Sequence, residues 1–151
     1  MTIPQRVARL PWPELHEALD AHGFAQTPAV LTAGECRELR GLYETGSFRS
    51  TITMARHRFG EGEYRYFDHP LPDAVAQLRE AFYPPLAEAA NRWAERLGEE
   101  TRYPDRLSVF LRACHRAGQK RPTPLMLRYR AGTGTPYTRT STARWRSPSR
   151  S

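Results

Sequence analysis

The stretch FRSTITMARHRFGEGEYRYF, Phe48–Phe67, is the longest part of this chain that reads as strand and not as helix. β-Branched and aromatic residues are concentrated in it, and Gly60-Glu61-Gly62 offers a turn between its two runs, the pattern of a β-hairpin. Alternation places Thr51, Thr53, Ala55, His57 and Phe59 on one face. Ile52, Met54, Arg56 and Arg58 fall on the other.

On either side of this stretch the apolar period changes from two to that of a helix. WPELHEALDAHGF reads as a short helix: Pro13 suits its first turn, Leu15, Ala18, Leu19 and His22 share a face, and Gly23 can close it in a left-handed cap. FAQTPAVL reads as a short strand in which Pro28 marks an edge or a bend. TAGECRELRGLYETG begins with Thr32 and Glu35 at capping-box spacing, and Cys36, Leu39, Leu42 and Tyr43 recur at helical spacing. Beyond the hairpin, PDAVAQLREAF starts at Asp73 as N-cap and lines up Val75, Leu78 and Phe82. After Pro84-Pro85 a separate helix carries Leu86, Ala90, Trp93 and Leu97. PDRLSVFLRACHRAGQ repeats the device, with Asp105 capping and Leu107, Phe110, Leu111 and Cys114 facing inward. PLMLRY is a short apolar strand. The fold class is α+β, with helices massed before a sheet.

A chain of 151 residues is long enough for one domain with its own core. No apolar run approaches the roughly 20 residues of a membrane span, and the N-terminus lacks a secretory core. The two cysteines, Cys36 and Cys114, form no metal-type pair or disulfide framework, which suits a reducing cytoplasm. The net charge of +7 is unevenly distributed. No acidic residue follows Asp105, so the whole excess of Lys and Arg lies in the last third of the chain.

Candidate chemistry has competing readings at each place. His57, between Arg56 and Arg58, suits a metal, a phosphate or plain solvation. None of the five histidines has an acidic residue two positions on, as a facial iron triad requires, and Asp20-Ala21-His22 has the reverse order on a helix. Cys114 adjoins His115, but neighbours on a helix diverge, so a core thiol is the simpler assignment. Arg49, Arg56, Arg58 and Arg65 alternate with Phe59, Tyr64, Tyr66 and Phe67. They form either a surface for a nucleic-acid strand or a hairpin with one charged and one packed face, and Glu61 and Glu63 dilute the positive field. The tail RAGTGTPYTRTSTARWRSPSRS is similar to a disordered basic arm that binds polyanions. That reading leaves unexplained why a β-strand leads directly into it.

FRSTITMARHRFGEGEYRYF, PLPDAVAQLREAFYPPLAEAANRW and FLRACHRAGQKRPTPLMLRY together resemble a bacterial family of 2-oxoglutarate- and Fe(II)-dependent oxygenases, prolyl-hydroxylase-like and often labelled as acting on alkylated DNA. The resemblance covers Trp12 to Gly132. It implies that the helices and hairpin pack on a double-stranded β-helix, and that the strand ending LRY-x-AG continues into a segment close to DWNxLHQDLYG carrying a His and an Asp ligand. A distal His and an Arg for the 2-oxoglutarate carboxylate would follow. None of these stands in this chain. Residues 1–132 are therefore expected to be the N-terminal part of an oxygenase domain, and residues 133–151 a disordered basic tail.

A one-nucleotide slip after Gly132 accounts for the tail. Each hidden codon then takes its last two bases from the first two of the visible codon. Thr (AC-) forces Asp, Asn, His or Tyr, Gly (GG-) permits Trp, Pro (CC-) permits Ala, and Tyr (TA-) permits Leu. Run through this rule, Thr133 to Arg150 admits DWNALHQDLYGEVAFPLQ without a violation, with Thr138 and Thr140 standing where the family's His and Asp belong. The resemblance then implies a truncated dioxygenase, inactive as this polypeptide, with no metal ligand and no catalytic residue of its own. Tyr129 is the one residue carried over, as a hydrogen-bond partner of 2-oxoglutarate, against the simpler role of a sheet aromatic. Fe(II) and 2-oxoglutarate belong to the intact family, and nucleic acid is the expected partner. The alternative is a small basic nucleic-acid-binding module whose Arg-rich tail is functional.

Overall fold

A computed structural model describes residues 1–53 and 62–129. The chain forms five helices and three strands among these residues: α1 Ile3–Ala8, α2 Trp12–His22, α3 Ala33–Thr45, β1 Phe48–Thr53, β2 Glu63–Phe67, α4 Asp73–Arg96, α5 Leu107–Arg116 and β3 Leu125–Arg128. This is the α+β class expected from the sequence. Two compact units divide the chain. One holds Met1–Leu42 and Pro70–Arg121, the other Tyr43–His69 and Pro122–Ser151.

The first unit is helical. Ile3, Val7, Leu10 and Leu15 form its buried centre, and Ala74, Leu78, Ala81 and Phe82 of α4 pack against it. Local signals set the helix ends. Gly23 closes α2 at φ 75°, a left-handed conformation that glycine adopts without a Cβ penalty. The capping box at α3 is closed both ways: the Glu35 amide donates to Thr32 Oγ1 (3.2 Å) and the Thr32 amide to Glu35 Oε2 (2.7 Å). α1 has the same device in Thr2 and Gln5. Its sequence signal is the T-x-x-Q spacing with Pro4 in the first turn.

Several expectations are corrected. FAQTPAVL forms no strand, because Pro28 offers no amide and no neighbouring strand pairs with it. It is held instead by its main chain, where Arg6 Nε donates to the Val30 carbonyl, and by Val30 and Leu31 packing on the core. Pro84-Pro85 does not divide two helices, since α4 runs unbroken through both. Packing on each side, Ala81 and Phe82 before and buried Ala87, Ala89 and Ala94 after, outweighs the lost amides. The stripe Leu86, Trp93 and Leu97 faces outward, with Leu97 74% exposed, while the alanines beside it are the buried side. Cys36 is likewise exposed. Pro72, not Asp73, is the N-cap of α4, and Arg106, not Asp105, that of α5. Neither makes a side-chain cap.

The second unit is a three-stranded antiparallel sheet in the order β1-β2-β3. The expected hairpin is present as β1 and β2, paired Thr53↔Glu63 to Phe48↔Phe67, with an irregularity between Phe48 and Ser50. Its tip, including Met54, Ala55, Arg56, His57, Arg58 and Phe59, lies outside the described residues. β3 joins through Glu63↔Arg128 to Tyr66↔Leu125. Phe67 is the buried anchor, 1% exposed and stacked on Phe48 at 4.9 Å. No helix is long and apolar enough to cross a membrane among the described residues.

Candidate functional site

Because strand side chains alternate, the sheet presents two chemically different faces. Glu63, Arg65 and Phe67 of β2 share one, where Arg128 of β3 lies opposite Glu63 and the end of α3 supplies Tyr43. The Tyr43 hydroxyl donates to Glu63 Oε1 at 2.7 Å, and Arg128 Nη2 donates to the same oxygen at 3.0 Å. Arg65 Nη1 donates to the Tyr43 carbonyl at 2.6 Å. The Arg65 and Arg128 guanidinium carbons stand 4.4 and 4.2 Å from the Tyr43 ring centroid, so one phenol ring carries two cations. Arg128 also pairs with Glu44. Arg65 Nε is buried with no hydrogen-bond partner among the described residues.

The charges of this cluster set its titration. Burial first, then the hydrogen bond to Glu63, pushes the Tyr43 phenol up to about 12. The bond from Tyr43, helped by Arg65 and Arg128, holds the Glu63 carboxyl below the usual carboxylate range, with burial opposing. A raised phenol keeps its proton in the fold after the unfolded chain has lost it. Its contribution is complete below about pH 10 and is lost as pH rises toward 12. A depressed carboxyl works in the opposite sense. Its contribution is present above the unfolded pKa and fades as pH falls through the lower folded value. Tyr43→Phe is expected to cost about 1–2 kcal/mol at neutral pH, as the bond to a charged acceptor disappears. The variant should also lose the part of the alkaline destabilisation between pH 10 and 12 that belongs to this phenol. Urea melts of both proteins at pH 7, 10 and 11.5 check this, and parallel alkaline losses would contradict it.

The other face is aromatic and open. Tyr64 and Tyr66 meet edge to face at 5.7 Å, and the Arg49 guanidinium lies 4.4 Å over the Tyr66 ring. Arg49 is fixed by its Nε donating to the Pro122 carbonyl at 3.1 Å. Leu127, paired with Tyr64, is 51% exposed, and Tyr129, just past β3, is 41% exposed. Rings and a held guanidinium suit base stacking and phosphate contact.

The structure thus brings Arg49, Tyr64, Tyr66 and Tyr129 to one sheet and sends Arg65 and Phe67 to its opposite face. Arg56, His57, Arg58 and Phe59 lie outside the described residues, as do Thr138 and Thr140. Cys114 is half-buried on α5 and His115 exposed, in keeping with a packed thiol. The Tyr43–Glu63–Arg128 cluster was missed in the sequence, where Glu63 registered only as a diluting charge. The cross-strand pairing of Glu63 with Arg128 would have revealed it, but that requires the register. No group of three or more His, Cys, Asp or Glu able to hold a metal occurs among the described residues. Beyond His115 the sequence contains no His, Cys, Asp or Glu at all.

Comparison with known proteins adds a family. The model of an oxygenase family described as catalysing oxidative methylation of damaged DNA matches residues 62–137, from β2 through β3. Two curated relatives are Uncharacterized protein MT2286 of Mycobacterium tuberculosis strain CDC 1551 / Oshkosh and Uncharacterized protein Rv2227 of strain H37Rv. Each is 44% identical over 63 residues, which is 42% of this chain. The match spans only 27% of the length of either relative. No solved structure matches.

Proposed function

The chain belongs to the oxygenase family described as catalysing oxidative methylation of damaged DNA, and from that premise we propose that it is the N-terminal part of a 2-oxoglutarate- and Fe(II)-dependent oxygenase whose iron-binding strand lies in a neighbouring reading frame. The observation that carries this reading is that the family match stops shortly beyond Gly132, where the proposed slip lies. The family match passes through β3 and ends at residue 137, within the stretch where the shifted frame begins to spell DWNALHQDLYGEVAFPLQ.

The residues present do not fit the metal. An iron of this kind needs two imidazoles and a carboxylate, and threonine hydroxyls at positions 138 and 140 are poor neutral ligands. In this chain residues 1–132 form the oxygenase portion and residues 133–151 an out-of-frame basic tail, so the polypeptide is inactive as it stands. Tyr129 would contact 2-oxoglutarate once a complete barrel surrounds it. Damaged DNA is the substrate the family description supports. Arg49, Tyr64 and Tyr66 are the residues placed to meet it, as stacking rings beside a guanidinium. Two cysteines without a partner suit a cytoplasmic protein.

The test is incubation of the full chain with Fe(II), 2-oxoglutarate and methylated single-stranded DNA. No stoichiometric iron binding and no succinate are expected. Succinate formation would overturn the inactive reading. Salt-dependent DNA binding that requires the tail, in a gene with no continuing shifted frame, would favour a basic binding module instead.

A further inference from the structure

Arg49 stands where the register of β1 on β2 breaks. Phe48 pairs with Phe67 and Ser50 with Tyr66, so Arg49 is an extra residue with no partner opposite it. An inserted residue of this kind interrupts the alternation of faces and re-aims its side chain. Here the guanidinium is turned over the Tyr66 ring, 4.4 Å from its centroid, and Nε donates to the Pro122 carbonyl at 3.1 Å. Arg65 and Arg128, by contrast, are paired with Glu63 and Glu44. No carboxylate pairs with Arg49 among the described residues, which leaves its Nη1 and Nη2 donors for a ligand.

Next to this cation the face offers ring surface. Tyr64 meets Tyr66 at 5.7 Å and 79°, Ile52 pairs with Tyr64, and all three side chains are only half-buried. The surrounding charge has one sign. The sheet unit, Tyr43–His69 with Pro122–Ser151, contains ten arginines and four acidic residues, so it carries +6 of the chain's +7. Such a field draws a polyanion, and exposed rings favour one that carries flat apolar groups along its backbone. A nucleic acid has both. In a duplex the base faces are hidden in the stack, and base edges are reached by an element that enters a groove, which a sheet face does not do. Only a single strand can offer its base faces to these rings.

We propose that the β1–β2 face of this chain binds single-stranded DNA in preference to duplex, without iron or 2-oxoglutarate. A phosphate lies against the Arg49 guanidinium and a base against the Tyr64 ring, while Tyr66 and the Pro122 carbonyl hold Arg49 in place. The proposal rests on the reading of DNA as the substrate, and adds the form of DNA and the residues that select it. Its residues precede Gly132, so it does not depend on the frame of the tail.

Fluorescence anisotropy on the full chain, with no metal present, tests it with a labelled oligothymidylate of about 15 nucleotides and a duplex of the same length. Saturable binding of the single strand is expected, about tenfold tighter than of the duplex. Tyr64→Leu should weaken it by about five- to 100-fold, the loss of one stacked base, whereas Tyr64→Phe keeps the ring and should bind as the natural chain does. Arg49→Gln should weaken it and lower the slope of log affinity against log salt by about 0.7, one phosphate on a single strand. Arg112→Gln removes the same charge from an exposed position on α5 and should change neither. Replacing Arg139, Arg144, Arg146 and Arg150 by Gln should weaken both DNAs and keep the preference for the single strand. The proposal is overturned if the natural chain binds no single strand or binds the duplex equally well. It is equally overturned if Tyr64→Leu or Arg49→Gln binds as the natural chain does, if Arg112→Gln weakens binding as much, or if the tail variant loses the preference. None of these outcomes bears on the oxygenase assignment, which the succinate assay decides.

Discussion

Restoring one nucleotide directly after the codon for Gly132 is expected to yield a chain that consumes 2-oxoglutarate, whereas the present chain is expected to show no such turnover. On the proposed reading the shifted frame would put His in place of Thr138 and Asp in place of Thr140, supplying an imidazole and a carboxylate one residue apart. The frame should then stay open, deliver a second His and, about ten residues later, an Arg on a strand. Affinity for Fe(II) should rise by more than about 100-fold, because loss of outer-shell partners alone costs 10–100-fold and here the ligands themselves return. The Leu127 and Tyr129 side of the sheet should become protected as the rest of the fold covers it. Calorimetric metal titration and succinate assay of the repaired and present chains side by side give the answer. A stop codon at once in the restored frame, or a long repaired product that binds no iron, would sink the account and leave the basic tail to be explained as a binding arm.

The largest stability effect is expected at Phe67. Its ring is 1% exposed, stacks on Phe48 at 4.9 Å, and its amide donates to the Pro124 carbonyl at 3.1 Å, where β3 is brought in. Phe67→Ala removes a buried aromatic from the centre of a small sheet and should cost about 3–5 kcal/mol. Total stabilities are of order 5–15 kcal/mol, so the sheet unit would be close to unfolding. Phe67→Leu, which retains most of the volume, should cost less than about 1.5 kcal/mol. Chemical denaturation followed by tyrosine fluorescence separates the two variants. A cost under 1 kcal/mol for the alanine variant would show that Phe67 does not hold the sheet together.

The sequence told most where a residue and its partner are close along the chain. The α3 capping box, the left-handed Gly23 and the hairpin strands each depend on contacts within a few residues or across one turn, and the structure reproduces them. The same locality misled at the prolines. A rule about one missing amide ends a helix at Pro84-Pro85, but α4 is held by α1 packed along it, contacts some 70 residues away in the chain. Leu86, Trp93 and Leu97 show a related limit. Periodicity identifies a stripe, but which side of the helix meets a neighbour depends on that neighbour, and here the alanines were chosen.

For the candidate site the division is sharper. By itself the sequence determined the α+β class, the charge gradient that ends at Asp105, the absence of His, Asp and Glu beyond His115 and the codon-level coincidence in the tail, since all of these are written in residue identity and order. Only the tertiary structure could decide that Arg49 lies over Tyr66 on one face while Arg65 turns to the other to meet Tyr43 and Glu63. Strand register sets those pairings. A shift of one residue would exchange the two faces, and the register is fixed by the burial of Phe67, stacked on half-buried Phe48, and by the pairing of β3 some 60 residues downstream.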